Sequence, residues 1–174
     1  MLRGYQRFTG HAVAVDVTTH HSPRPILAVT FSVHDSRSSR GRMRSRPALT
    51  QSDADRMIAA ARAEAQRRGW NVSIAVVDDG GYLWRLERLD GAGLQSPEVA
   101  TMKASSAALS RLPTKRLEEI TKDRNGMLRF PGRLPIQGGL PIMHDGECIG
   151  GIGVSGVQSS EDEEVAAAGL AALA

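Results

Sequence analysis

Besides the turn glycine Gly146, six glycines, at 138, 139, 150, 151, 153 and 156, stand in one twenty-residue stretch of otherwise β-forming sequence, Gly138 to Val157. Pro141–His144 and Glu147–Val157 are apolar or small segments on either side of Asp145-Gly146, the dipeptide that supplies the positive φ of a two-residue hairpin turn. Glycine weakens an ordinary strand, so this density predicts that a backbone, a helix or a flat ligand approaches closely. The stretch reads as a β-hairpin with one bare wall.

Two motif matches inside it are decoys. Gly151-Ile-Gly153-Val-Ser-Gly156 fits G-x-G-x-x-G, but a dinucleotide fold needs a following helix, a second strand and an acidic ribose partner about 20 residues on. The sequence stops at Ala174. A serine-nucleophile elbow needs glycine where Val157 stands. Ser155 is therefore read as a strand or turn serine.

The charge is unevenly spread. Residues 1–46 hold eight arginines against Asp16 and Asp35, a local +6, which leaves −3 for residues 47–174 out of the total of +3. The basic character belongs to the leader, and the remainder shows no basic face of the kind nucleic-acid binding requires. Cys148 is the single cysteine, which excludes an internal disulfide framework and a cysteine zinc site and predicts a buried strand thiol. No run reaches the roughly 18–20 apolar residues of a membrane span, and a cytoplasmic location is the default expectation.

Residues 1–46 read as an Arg/Ser-rich leader, disordered or a mis-assigned start. Three explanations stand: translated upstream sequence with the true start at Met43, an Arg-rich and acid-poor targeting peptide, or an extra strand or arm. Its histidines, His11, His20, His21 and His34, are set aside from the chemistry, because the adjacent pair His20-His21 has no partner ligands in view.

From Thr50 the pattern becomes regular, with Ala54, Met57, Ile58, Ala61 and Ala65 at helical spacing until Gly69. Val72–Asp78 and Tyr82–Leu89 read as a hairpin across Asp79-Gly80-Gly81, with Leu83 and Trp84 in the core and Arg85, Glu87 and Arg88 on the solvent face. Ser96-Pro97-Glu98 opens a helix to about Arg111 whose face is small: Ala100, Ala104, Ser105, Ser106, Ala107, Ala108. A short helix follows Pro113-Thr114 through Asp123, an irregular loop spans 125–136, and Ser160 with Glu163 forms the expected capping box of a last helix. Val165, Ala168 and Leu173 face inward from it. The order implies an α+β domain over residues 47–174, an antiparallel sheet covered by amphipathic helices.

Ser73-Ile-Ala-Val-Val-Asp-Asp-Gly-Gly81, Glu87-Arg-Leu-Asp-Gly-Ala92, Lys103-Ala104, Arg111-Leu-Pro-Thr-Lys115, Gly138-Gly-Leu-Pro-Ile142, Asp145-Gly146, Ile149–Gly156 and Asp162-Glu-Glu164 together resemble the GlcG/HbpS-like family of haem-binding proteins. The resemblance runs from about Leu49 to the end and extends to the terminal domain of cobalamin adenosyltransferases. It implies a profilin-like layered sandwich that assembles as a dimer or higher homo-oligomer, with haem as ligand.

The resemblance also associates Lys103 and Thr114 with a pocket, where Lys103 would neutralise a haem propionate or a small carboxylate. The alternative is that Thr114 caps the next helix and Lys103 snorkels at a helix edge. Gly138, Gly139, Gly151 and Gly153 would form the flat wall. A haem iron needs an axial donor, and His144 is the one imidazole within 47–174; its other reading is an exposed residue beside the Asp145-Gly146 turn. Met143 and Cys148 come next as donors but read better as core. Asp162, Glu163 and Glu164 complement the positive end of the last helix, or else hold an iron ion. Three functions are open: haem handling, degradation or redox sensing; an enzyme acting on a small hydroxy or keto acid, with Lys103 as anchor; and an assembly module without pocket chemistry.

Overall fold

A computed structural model describes residues 45–173 together with two short strands, β1 (Val15–Asp16) and β2 (Thr30–Phe31), which pair antiparallel with Val15 opposite Phe31. The histidines and the Arg/Ser run of the leader lie outside the described residues. Met1–Ser45 and Arg46–Ala174 form separate compact units.

The second unit is built from α1 (Gln51–Arg68), β3 (Ser73–Asp78), β4 (Leu83–Arg88), α2 (Ser96–Ser110), α3 (Thr114–Asp123), β5 (Gly139–His144), β6 (Glu147–Ser155) and α4 (Ser159–Ala171). Its four strands make one antiparallel sheet in the order β4-β3-β6-β5. β3 and β6 are central, so β3 reads as continuous apolar sequence with both faces covered. The α+β layered sandwich expected from the sequence is the fold observed.

The two faces of the sheet differ in thickness. Ile74, Val76, Ile152 and Val154 point toward α1 and α4 and pack with Met57, Ile58, Ala61 and Val165 in the main core. On the other face Ala75 and Val77 meet only Ala100, Ala104 and Ala108 of α2. A Cβ at Gly151 or Gly153 would run into the backbone of α2, at Ala104 O and at Ala100 O respectively. Bare strand against alanine helix lets the two backbones come close, and that is the physical use of the glycine run. The close approach forecast by the glycines is real; the approaching object is the protein's own helix.

Local signals place most ends correctly. Thr50 caps α1 in a full capping box with Asp53, and Gly69 ends it in the left-handed conformation at φ 71°. Asp145 and Gly146 turn the β5–β6 hairpin at φ 48° and 79°.

Other expectations need correction. α2 is capped at Gln95 rather than Ser96, whose hydroxyl is diverted to Gly93 O and to the buried Ser73 Oγ. α4 begins at Ser159, with its box made by Gln158 and Glu161 rather than Ser160 and Glu163. Its buried face is Asp162, Val165, Ala166 and Gly169, while Ala168 is only half-buried; Leu173, beyond the helix end, packs partly buried against the core as expected. Leu83 and Trp84 are exposed rather than core, because β4 is an edge strand and its more covered residues are Arg85 and Glu87, bonded to Asp55 and Arg62 of α1. Cys148 is half-buried beside Ala108 O rather than fully enclosed.

Candidate functional site

The sequence-derived site residues separate into three places. Lys103, Thr114, Gly138 and Gly139 meet in one buried node where α2, the start of α3 and the start of β5 converge. Gly151 and Gly153 lie on β6 beneath α2. His144 stands apart at the tip of the β5–β6 hairpin.

Lys103 sits on the alanine face of α2, and both it and Asp162 are 2% exposed. Its Nζ donates to Asp162 Oδ2 at 2.8 Å. The other carboxylate oxygen, Oδ1, accepts from Val157 N at 3.2 Å, so the acid ties the end of β6 to α4 as well as to α2. Burial pushes the Asp162 carboxyl above its usual range, against the pull of the Lys103 hydrogen bond and charge. Gly138 leaves room for this pair: a Cβ there would lie 2.8 Å from Lys103 Nζ and 2.9 Å from Asp162 Cβ. Lys103 therefore neither snorkels nor offers its ammonium to a ligand in this arrangement; its counter-ion is internal.

Thr114 is fully buried, and its Oγ1 accepts from Gly139 N at 2.8 Å while lying 3.3 Å from Gly139 O. The residue that N-caps α3 is Pro113, without a side-chain bond. Thr114 thus replaces a missing neighbour strand for the first residue of β5 rather than capping its helix. Ser106 Oγ does the same for Leu134 N at 2.7 Å, and Glu118 Oε2 for Gln137 N at 2.9 Å.

Asp162 is a residue that sequence reasoning placed only by its helix dipole or as an iron ligand. The signal for its role was indirect: a cation on a face otherwise made of alanine and serine has to be compensated from another element. Only the fold shows which acid reaches it. Of the other two acids, Glu164 pairs with Arg68 at 2.8 Å, and Glu163 Oε2 is buried without a hydrogen-bond partner among the described residues. Among the described residues no group of three or more His, Cys, Asp or Glu side chains is placed to hold a metal ion, so the acidic run does not form an iron site there.

His144 is 59% exposed, with Nε2 3.5 Å from Asp145 Oδ2. The adjoining Met143 is 48% exposed rather than core. The hairpin base touches the end of α2, Cys148 Sγ lying 3.5 Å from Ala108 O, and Leu109 and Leu112 are exposed just beyond that contact. His144 and Met143 are neighbours on β5, so their side chains leave opposite faces of the sheet, Met143 on the side of Cys148 and α2. A half-open recess of about 190 Å³ lies between α2, α3 and the 3₁₀ turn Asn125–Arg129, lined by Leu117, Met127, Phe130, Arg133 and Pro135. It falls below the roughly 300–1,000 Å³ of sites that enclose drug-sized ligands. No helix among the described residues is long and apolar enough to cross a membrane.

Comparison with known proteins agrees with this architecture. The family described as haem degrading protein, HbpS-like, matches residues 49–171. Protein GlcG of Escherichia coli strain K12 is 41% identical over 114 residues, 65% of this chain and 85% of that protein. The crystal structure of a double mutant of Streptomyces reticuli HbpS superposes with a TM-score of 0.74 at 35% identity, covering 79% of this chain and 95% of the other. The crystal structure of a PduOC:heme complex gives 0.68 at 27% identity, covering 72% and 95%.

Proposed function

The chain belongs to the HbpS-like family of haem degrading proteins, and from that premise we propose that it is a small oligomeric haem-binding protein engaged in haem handling, in degradation or in redox sensing. What carries the reading is the family match over nearly the whole folded unit, together with the likeness to the PduOC:heme complex.

Haem binding makes two demands of the chain. A macrocycle needs an apolar slot and an axial donor. The glycine wall is filled by α2, the 190 Å³ recess is too small, and Lys103 is committed to Asp162. The candidate axial donor is His144, the one imidazole of residues 47–174, exposed at the tip of the β5–β6 hairpin. An exposed hairpin tip gives at most one side of a haem slot. A second copy of the chain would supply the other, which is why an oligomer is part of the proposal.

The carboxylate-processing reading draws no support from Lys103, whose ammonium is 2.8 Å from an internal carboxylate. Glycine and alanine packing that is satisfied inside one chain is what an assembly module would also show, so that reading stays as the outcome if haem does not bind.

Hemin titrated into the full chain is expected to give a saturable Soret shift, with the His144→Ala variant moving the band and weakening binding by about tenfold or more, the loss of one axial bond. A featureless, non-saturating response from the wild type would remove the proposal. A saturable shift unchanged by His144→Ala would keep haem and reject His144 as the donor.

A further inference from the structure

β4 is the outermost strand on one side of the sheet, and among the described residues its outer edge is unpaired. Open edges of this kind are normally blunted by proline, charge or a covering element. Here two leucines stand out beside the exposed Arg88: Leu83 is 48% exposed and Leu86 42%, with Leu109 of α2 at 42% close to the β3–β4 turn, where a Cβ on Gly81 would touch it. Apolar groups are left out on this edge while Arg85 and Glu87 are partly covered.

The backbone fixes which groups the edge offers. Leu89 donates its N–H to Val72 O at 3.0 Å, so by alternation Glu87 and Arg85 direct their peptide groups toward β3, while Arg88 and Leu86 direct theirs outward. Side chains alternate as well. Arg85 reaches Asp55 and Glu87 reaches Arg62, both on α1, which puts these charges on the α1 face. Leu86, opposite Ala75, shares the face that α2 covers.

We propose that β4 pairs antiparallel with β4 of a second copy of this chain about a two-fold axis at Leu86, joining two four-stranded sheets into one continuous sheet. In that register the outward N–H and C=O of Leu86 bond their own counterparts, and Leu86 meets Leu86 on the α2 face. Arg85 of one copy stands opposite Glu87 of the other, twice by symmetry. Moving the axis one residue either way sets Arg85 against Arg85 or Glu87 against Glu87. The charges therefore select one register out of the neighbouring ones, and the apolar face selects against leaving the edge in water. Assembly through this edge is independent of haem and holds whether or not haem binds.

Mass measurement of the full chain by light scattering and sedimentation, without haem, tests this by charge exchange. Arg85→Glu and Glu87→Arg singly are expected to weaken self-association by about tenfold or more, through like charges at both symmetric contacts. The double exchange R85E/E87R restores the complementary order and is expected to return association close to wild type. Recovery in the double variant also separates interface loss from misfolding. A wild-type chain that stays monomeric at high micromolar concentration overturns the proposal. So does association that ignores the single exchanges, or single losses that the double exchange does not repair.

Discussion

At Lys103 an ammonium with three donors is held out of water, on a helix face whose other residues are alanine and serine, by one carboxylate at 2.8 Å. A buried pair of this kind contributes little net stability against apolar replacements of the same size, yet removing one partner leaves an uncompensated charge at a cost of about 3–5 kcal/mol. Asp162→Asn and Lys103→Ala are each expected to fall in that range in urea unfolding. The double replacement Lys103→Met with Asp162→Leu should cost far less than their sum. Additive losses would show that the two residues act separately. The family resemblance drew attention to Lys103, but it could not name its partner 59 positions away. Thr114 teaches the same lesson: its type and place suggested a cap, and its hydroxyl serves the backbone of Gly139 because β5 starts without a neighbour there.

Helix ends show what local chemistry can and cannot decide. Thr50 and Asp53 make reciprocal bonds, with Asp53 Oδ2 accepting from Thr50 N at 2.9 Å and Asp53 N donating to Thr50 Oγ1 at 3.2 Å. The Thr50 hydroxyl above all, then the Thr50 backbone and Arg56, lower the Asp53 carboxyl from its ordinary 3.8 to about 2. A carboxyl held lower in the folded state stabilises fully above its unfolded value near 4 and loses that contribution as pH falls through about 2. Thr50→Ala should therefore cost about 1 kcal/mol at neutral pH and progressively less below about pH 4, as read by denaturant melts across that range. A cost independent of pH down to about 2 would contradict the assignment. At α4 two candidate boxes were possible in Gln158-Ser-Ser-Glu161-Asp-Glu163. The structure uses Gln158 with Glu161, because Asp162 must face Lys103, and that starts the helix ahead of Ser160.

For the whole molecule, the spacing of the layers is the quantity that the glycine run controls. α2 rests on β6 through Gly151 and Gly153, so an added methyl lifts a helix rather than filling a void. Gly153→Ala is expected to destabilise by about 1–3 kcal/mol through overpacking, read as a lower midpoint in denaturant. A neutral result would mean that α2 can retreat freely.

What the sequence determined by itself was much of what short-range chemistry writes: the helix and strand order, the Asp145-Gly146 turn, the need for close backbone approach along β6, and the family. What only the tertiary structure decided was which object fills each surface. It put α2 on the bare strand, Asp162 on Lys103, and Leu83 and Trp84 on an edge instead of in the core. Periodicity records which face of an element prefers to be covered. Edge or centre, internal partner or ligand, depend on strand order and on contacts between residues far apart in the chain.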